Sequence, residues 1–395
     1  MALKNRKIFS RLKTISLYSL SQILGVFSIL LLSFIIIKYC STELWGKYTE
    51  ILIWSNLFLL FLGFGSQDFL LKSFSNSPST INQDWWNNSI ARSILLIPSY
   101  FIIYFIPIFK ELEVLIFALI TLQFATHSFK VLILYQRDFK FNIGVEIIYN
   151  LILASSCLIL IDTIDLKKLI LIIILGQGVR LMCYIIFYQS VFRKIKFQIQ
   201  FDNVKQSMPF FIPLAVGTIR VKVDAYYGTY FFNLNTLSKY QVFLSFLTLA
   251  QMASSFALNP FLKNLYRSKN TLIRKLQGKL FWYGWGFALV MIVIMYTSIT
   301  LLYELHFTKM QYILAFIIMI PLFLHVLLVN EYYKKNKQNE IAIIASILVL
   351  FQIILGYYLI KFWDMDGALI LKVIGQWSIV IILWLWIRRK SIKTV

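Results

Sequence analysis

The sequence predicts an all-α polytopic membrane protein of 12 transmembrane helices in two six-helix halves. Three observations carry this. Hydrophobic residues make up 59% of the chain and charged residues only 14%, whereas a soluble domain is nearer half apolar and a quarter charged. Runs of about 20 apolar residues, the length a bilayer requires, recur from end to end with short connections. Finally, the cationic residues fall on alternate connections, as the positive-inside rule demands.

The chain opens on a basic cytoplasmic segment, residues 1–13, "MALKNRKIFSRLK". The apolar run that follows is too long for a signal-peptide core and lacks a small-residue cleavage site, so it reads as a retained first span. The spans are placed at 14–37, 45–69, 90–109, 114–135, 142–161 and 167–189 in an N-terminal half, 14–189. A cytoplasmic linker, 190–207, leads to a C-terminal half, 208–387, with spans at 208–231, 238–262, 279–302, 311–331, 341–360 and 367–387. A basic tail, 388–395, ends the chain. The polar stretch 72–93 reads as interfacial.

With the N-terminus placed in the cytoplasm, 26 of the 39 Lys and Arg residues lie on the cytoplasmic side, Arg92 among them. Eight lie on the outer side. Five, Lys130, Arg180, Arg220, Lys222 and Lys372, fall inside spans. Both termini are therefore expected in the cytoplasm. The net charge of +22 reflects topology and contact with anionic lipids at the cytoplasmic face, and nucleic acid is not an expected partner. Cys40, Cys157 and Cys183 are scattered, without disulfide or metal spacing.

Slid by 192 residues, the sequence meets itself without a gap: Lys47 on Lys239, Tyr48 on Tyr240, Leu52 on Leu244, Leu57 on Leu249, Phe69 on Phe261 and Leu70 on Leu262. The Lys-Tyr pairs open spans two and eight. A parallel repeat of six plus six spans, related by a pseudo-two-fold axis, fits this pattern.

Depth separates unusual charges from ordinary ones. Lys372 and Lys130 lie close enough to span ends to snorkel, and Glu50, Asp68, Glu146 and Glu331 also read as span-end residues. Arg180 lies about nine residues from the cytoplasmic end of span six, some ~13 Å at 1.5 Å per residue. Arg220 lies near the middle of span seven, with Lys222 and Asp224 following within a turn. Charges so placed normally face a bundle interior or an aqueous cavity. Arg220 and Asp224, at i and i+4, share a face and can pair, either as a structural clamp or in a cavity lining. "IRVKVD" also alternates as a strand would, which leaves an exposed loop as an alternative. His127 and His325 are mid-span, where proton-coupling and packing roles are both open. No metal cluster, phosphate-binding Gly loop or nucleophile–base arrangement is present, and "WDMD" at 363–366 sits in a short loop. No cofactor or enzymatic activity is expected.

Four stretches resemble the polysaccharide repeat-unit flippases, the O-antigen or Wzx type of the MATE-like oligosaccharidyl-lipid flippase superfamily. They are "STELWGKYTEILIWSNLFLLFLGFGSQDFLLKSFS", "YQRDFKFNIGVEIIYNLI", "SMPFFIPLAVGTIRVKVDAYYGTYFFNLNTLSKYQVF" and "NEYYKKNKQNEIAIIASILVLFQIILGYYLIKFWDMDGALILKVIGQW". The resemblance spans nearly the whole chain. It places Asp224 where the family commonly carries an Asp after a Pro-containing helix start. Arg220 and Lys222 depart from that pattern, and the loop before "WGKY" lacks the family's Pro.

The resemblance implies a bacterial inner-membrane protein that moves an undecaprenyl-pyrophosphate-linked oligosaccharide from inner to outer leaflet. It also implies polysaccharide polymerase machinery as a partner. Spans one, two, seven and eight would line a cavity, with Arg180, Arg220 and Lys222 as substrate-binding candidates and Asp224 as an ion-coupling candidate. The alternatives are a small-molecule secondary transporter of the drug-exporter kind, and a lipid II flippase. The last tend to be longer, with additional spans.

Overall fold

The computed structural model describes residues 2–192, 202–258, 270–335 and 337–392. Of the sequence features above, Arg193, Lys194, Lys196, Lys263, Arg267, Lys269 and Lys393 of the charge count lie outside the described residues, as do Phe261 and Leu262 of the repeat. Helix is the secondary structure of every described span, because in hydrocarbon each backbone N–H and C=O must find its partner within the segment.

The first eight helices are α1 (Ala2–Tyr39), α2 (Thr42–Gly63), α3 (Ser66–Asn76), α4 (Ile81–Ser93), α5 (Leu96–Phe105), α6 (Glu113–Gln136), α7 (Phe139–Ile159) and α8 (Leu166–Phe187). After them come α9 (Asp202–Phe231), α10 (Leu234–Leu258), α11 (Asn270–Ser298), α12 (Lys309–Met319), α13 (Leu322–Lys334) and α14 (Gln338–Ile392). Among the described residues, nine helical segments are long and apolar enough to cross a membrane, with the α2–α3, α4–α5 and α12–α13 pairs each forming one and α14 counted once. Non-helical backbone at Trp363 and Asp364 divides α14 in two. With that division, α9 and α10 complete the twelve rods of a multi-pass, all-α membrane protein.

Local chemistry sets the ends. Ser41 caps α2 by accepting from the Leu44 N–H at 3.0 Å, and Asp165 caps α8 by accepting from the Lys168 N–H at 2.7 Å. Each satisfies an N–H that the helix itself leaves unpaired. Thr308 and Gln311 form a reciprocal capping box at the start of α12.

The chain divides into two compact units, residues 20–215 and residues 216–395 together with residues 1–19. The boundaries fall inside α1 and α9.

In the unit of residues 20–215, α6 packs on α2 and α8, α7 on α8, and α3 on α4 and α6. Trp45, Ile51, Leu62, Leu70, Phe74, Ile116 and Leu132 form its apolar interior. The outward faces of α5, α7 and α8 carry exposed Phe101, Tyr104, Leu151, Ile159, Leu175 and Ile186, while Asn88, Asn142, Glu146, Asn150 and Gln177 point inward. This is the distribution that hydrocarbon imposes, with polar groups kept away from lipid.

The α2–α3 break turns on Phe64 (φ 42°) and Gly65 (φ 66°). A Cβ on Gly65 would lie 2.5 Å from the Phe211 backbone nitrogen. Phe64 stacks on the Phe211 ring at 4.5 Å between centroids.

The polar stretch 72–93 is where expectation and structure differ most. It is not a connection over most of its length: residues 72–76 end α3 and residues 81–93 form α4, the first half of the third rod. Its Trp85, Asn87, Asn88 and Arg92 are all buried. Arg92, expected in a cytoplasmic loop, is 3% exposed. Its guanidinium donates to Asn88 Oδ1 (2.8 Å) and to the Leu62 carbonyl (3.2 Å), where α2 ends. A cation there satisfies carbonyls that the terminating helix leaves open.

In the unit of residues 216–395 and 1–19, Leu324, Leu328 and Tyr332 of α13 pack against Ile344, Leu348, Ile379, Val380 and Leu383 of α14. Gly284 of α11 lets the Ile320 carbonyl approach its backbone, and Gly367 does the same for the Leu359 carbonyl across the α14 kink.

Candidate functional site

The charged stretch "IRVKVD" is helical, within α9, so the exposed-loop alternative does not hold. Pro209 and Pro213 lie inside the same helix. Arg220 and Asp224 are both buried, 7% and 3% exposed, but they do not pair with each other. Lys372 Nζ of α14 lies 3.0 and 2.9 Å from the two Asp224 carboxylate oxygens and donates to the Val221 carbonyl at 3.0 Å. The Tyr240 hydroxyl, from the Lys-Tyr landmark of the repeat, also donates to Asp224.

Arg220 donates instead to the Gly375 carbonyl at 3.2 Å and lies within electrostatic range of His325 on α13. Lys222 is partly buried and close enough to Lys372 and Asp224 to feel both charges. Among the described residues it has no hydrogen bond and no ion pair. Lys372 is therefore not a snorkelling anchor. Its ammonium is held by a buried carboxylate and a helix carbonyl.

Arg180 belongs to the unit of residues 20–215. It pairs with Glu146 of α7, and its guanidinium sits 4.8 Å from the centroid of the Tyr149 ring. Glu146, expected near a span end, is 4% exposed. Glu331 does lie at a span end, but it is 4% exposed, bound to Lys335 at 2.7 Å and accepting from Gln277 at 2.9 Å.

Around Arg180 the polar chemistry is dense. Gln177 donates to the Tyr149 hydroxyl at 3.2 Å, and Tyr184 donates to Asn142 at 2.7 Å. Arg180 Nε, Glu146 Oε2, Asn150 Oδ1 and Gln177 Oε1 are buried without a partner among the described residues, and such orphaned groups are rare in proteins. His127 and Lys130 lie exposed on α6, with Lys130 Nζ 3.2 Å from His127 Nε2. His127 is within electrostatic range of Arg92, Lys130 and Arg180.

The two clusters are alike in charge. Among the described residues, one gathers Arg92, Lys130 and Arg180 with Glu146; the other gathers Arg220, Lys222 and Lys372 with Asp224. Each therefore carries cation in excess of carboxylate, and the buried members, Arg92 with Glu146 and Arg220 with Asp224, sit where a desolvated charge interacts strongly. Such a setting favours an anion, and multidentate guanidinium donors suit phosphate oxygens. Among the described residues no three His, Cys, Asp or Glu side chains gather as metal ligands.

The sequence singled out Arg180, Arg220, Lys222 and Asp224. It did not single out Glu146, Lys372, Tyr240 or the cluster around His127. The signals that touched these were the count of Lys130 and Lys372 among the cations inside spans, the mid-span position of His127 and the identity of Tyr240 in the repeat.

No family model matches the sequence, and no curated protein matches it either. Solved structures do match its fold. The lipid II flippase MurJ, in an inward closed conformation, is 17% identical with a TM-score of 0.73, covering 95% of this chain and 87% of its own. The eukaryotic MATE transporter AtDTX14 is 12% identical with a TM-score of 0.69, covering 96% of each chain. A mutant of the Vibrio cholerae MATE transporter VcmN is 14% identical with a TM-score of 0.65, covering 98% of each. The fold of this chain is thus the one shared by MurJ and the MATE transporters.

Proposed function

We propose that the protein is a flippase that carries a polyprenyl-pyrophosphate-linked oligosaccharide from the inner to the outer leaflet of a bacterial plasma membrane. The observation that carries this reading is the excess of cation over carboxylate in both clusters. A pyrophosphate cannot enter hydrocarbon unaided. Arg180, Arg220 and Lys222 would replace its hydration and counterions while the polyprenyl tail stays in lipid. Lys222 is the readiest donor, since no carboxylate or carbonyl among the described residues holds it. Alternating access would then present these groups to each leaflet in turn.

Asp224 is the candidate coupling carboxylate. Because Lys372 and Tyr240 bind it, protonating it would free Lys372 for the anionic cargo. Arg220 is not held by Asp224 and would be available throughout. The proposed route of coupling therefore runs through Lys372.

Vesicles reconstituted with the protein and a fluorescent undecaprenyl-pyrophosphate oligosaccharide test the reading. Arg220→Ala and Lys222→Ala are each expected to lower the flipping rate about tenfold or more, the equivalent of ~1.4 kcal/mol. Wild-type flipping by both Arg220→Ala and Asp224→Asn would sink the proposal.

The likeness to MurJ favours a second reading, in which the cargo is lipid II. Rescue of a strain depleted of its own lipid II flippase would establish that cargo. A drug exporter for cations fits less well, because the clusters are cationic where such a site needs acid.

A further inference from the structure

At one end of the unit of residues 216–395 and 1–19, the chain ends of α10, α12 and the α14 kink surround a cavity of about 610 Å³, a size typical of small-ligand sites. By the charge count this is the outer end. Its lining includes Trp363, Asp364, Asp366, Gln311, His306 and Lys239. Trp363 is 58% exposed.

Gln311 is fully engaged. Its oxygen accepts from the Thr308 N–H at 3.0 Å, and its amide donates to Asp366 Oδ1 at 2.8 Å. The α12 start and the α14 kink are thereby fixed to each other. Asp364, His306 and Lys239, by contrast, have no hydrogen bond or ion pair among the described residues. Asp364 also holds φ 44°, ψ −127°, a conformation that costs a non-glycine residue about 1–3 kcal/mol and that clusters at functional positions.

The other unit supplies a comparison. Residues 20–215 form a cavity of about 580 Å³ that includes Lys47, the residue that Lys239 meets in the repeat. Lysines, carboxylates and aliphatic side chains line it, with no aromatic ring. The fold therefore gathers loops here in both units, but of these two cavities only one has an exposed indole alongside two carboxylates.

We propose that the Trp363 cavity binds sugar rings of the translocated glycan at the outer face, with the indole stacking on the C–H face of a ring and Asp364 and Asp366 accepting from its hydroxyls. An aromatic face beside carboxylate acceptors matches a carbohydrate, which is apolar on its ring faces and rich in hydroxyl donors at its edge. Lys239 and His306 add donors for an acidic or acetamido substituent. The identity of the ligand as cargo rests on the flippase reading; the binding itself does not.

The test uses the full chain in nanodiscs on an array of soluble oligosaccharides carrying neither lipid nor phosphate. Retention of at least one oligosaccharide class is expected. Trp363→Leu keeps an apolar interfacial residue without a π face, and Asp366→Asn keeps an oxygen for Gln311. Each should weaken that binding about tenfold or more. Trp363→Phe should hold within about threefold, and Lys110→Ala in the other cavity should change nothing.

Retention of no sugar overturns the proposal. So does wild-type binding by Trp363→Leu, which would make the indole an interfacial anchor only. A second arm measures undecaprenyl pyrophosphate without sugar. If that lipid binds in an Arg220-dependent way while sugars do not, the pocket fails and the flippase reading stands. If sugars bind while neither that lipid binding nor flipping occurs, the reverse holds.

Discussion

Asp224 shows how far a single residue can be read from its neighbours in sequence. The i, i+4 spacing assigned it to Arg220, by a rule that describes pairs on an isolated helix surface. In the folded unit its cation comes from Lys372, 148 positions away. Arg220 turns to a backbone carbonyl instead. Helical periodicity gives the depth of a charge and the face it occupies, but not which distant helix brings the counter-charge. The same gap hid Glu146 from Arg180.

The pairing has an energetic consequence. Lys372→Ala leaves a buried carboxylate unpaired and is expected to destabilise the protein by about 3–5 kcal/mol, whereas Lys372→Met combined with Asp224→Asn should recover most of the loss. Thermal unfolding in detergent measures both, and a double variant no better than the single would refute the pair. Tyr240→Phe should cost about 1–3 kcal/mol, as a charged acceptor loses a donor.

The helices were largely legible because hydrocarbon permits little else. Spans four, five and six were placed to within a few residues of α6, α7 and α8. The exception was α4, whose "INQDWWNNSIARS" is polar by composition. Its polar side chains pack on one another and on the end of α2 rather than facing lipid, so hydropathy alone reads it as a connection. The break inside the second rod was likewise invisible, since Phe64 is an ordinary apolar residue, whereas the non-helical backbone at Trp363 and Asp364 falls in the short loop expected at 363–366.

Two substitutions probe those breaks. Gly65→Ala meets both a positive φ and the Phe211 backbone, and should lower the melting temperature and the yield of folded protein; an unchanged melt would show that α9 can give way. Asp364→Gly should act oppositely on two observables. It relaxes a costly backbone and raises stability by about 1 kcal/mol, while it weakens oligosaccharide binding. Loss of both together would indicate that Asp364 serves only to hold the kink.

For the molecule as a whole, the positive-inside count makes an orientation that chemistry can check. With Cys40 replaced by serine, a membrane-impermeant maleimide applied to intact cells should label Lys361→Cys and spare Lys140→Cys. The reverse pattern would invert the topology and move the Trp363 cavity to the cytoplasm. The fold class followed from composition, because twelve apolar rods with short connections leave no room for another solution. The division into two compact units depends in addition on which rods pack together.

That division bears on the order of synthesis. Residues 1–19 are made about 200 residues ahead of residues 216–395, yet they belong with them, and Tyr18 meets Phe256 edge-on at 6.0 Å. At translation rates of 5–20 residues per second, roughly 10–40 s separate the first segment from the start of its partners. During that interval α1 stands in the membrane half-committed, its later part able to pack while residues 1–19 wait. Assembly of the unit therefore follows the synthesis of residues 216–395, and residues 1–19 find their place long after they are made.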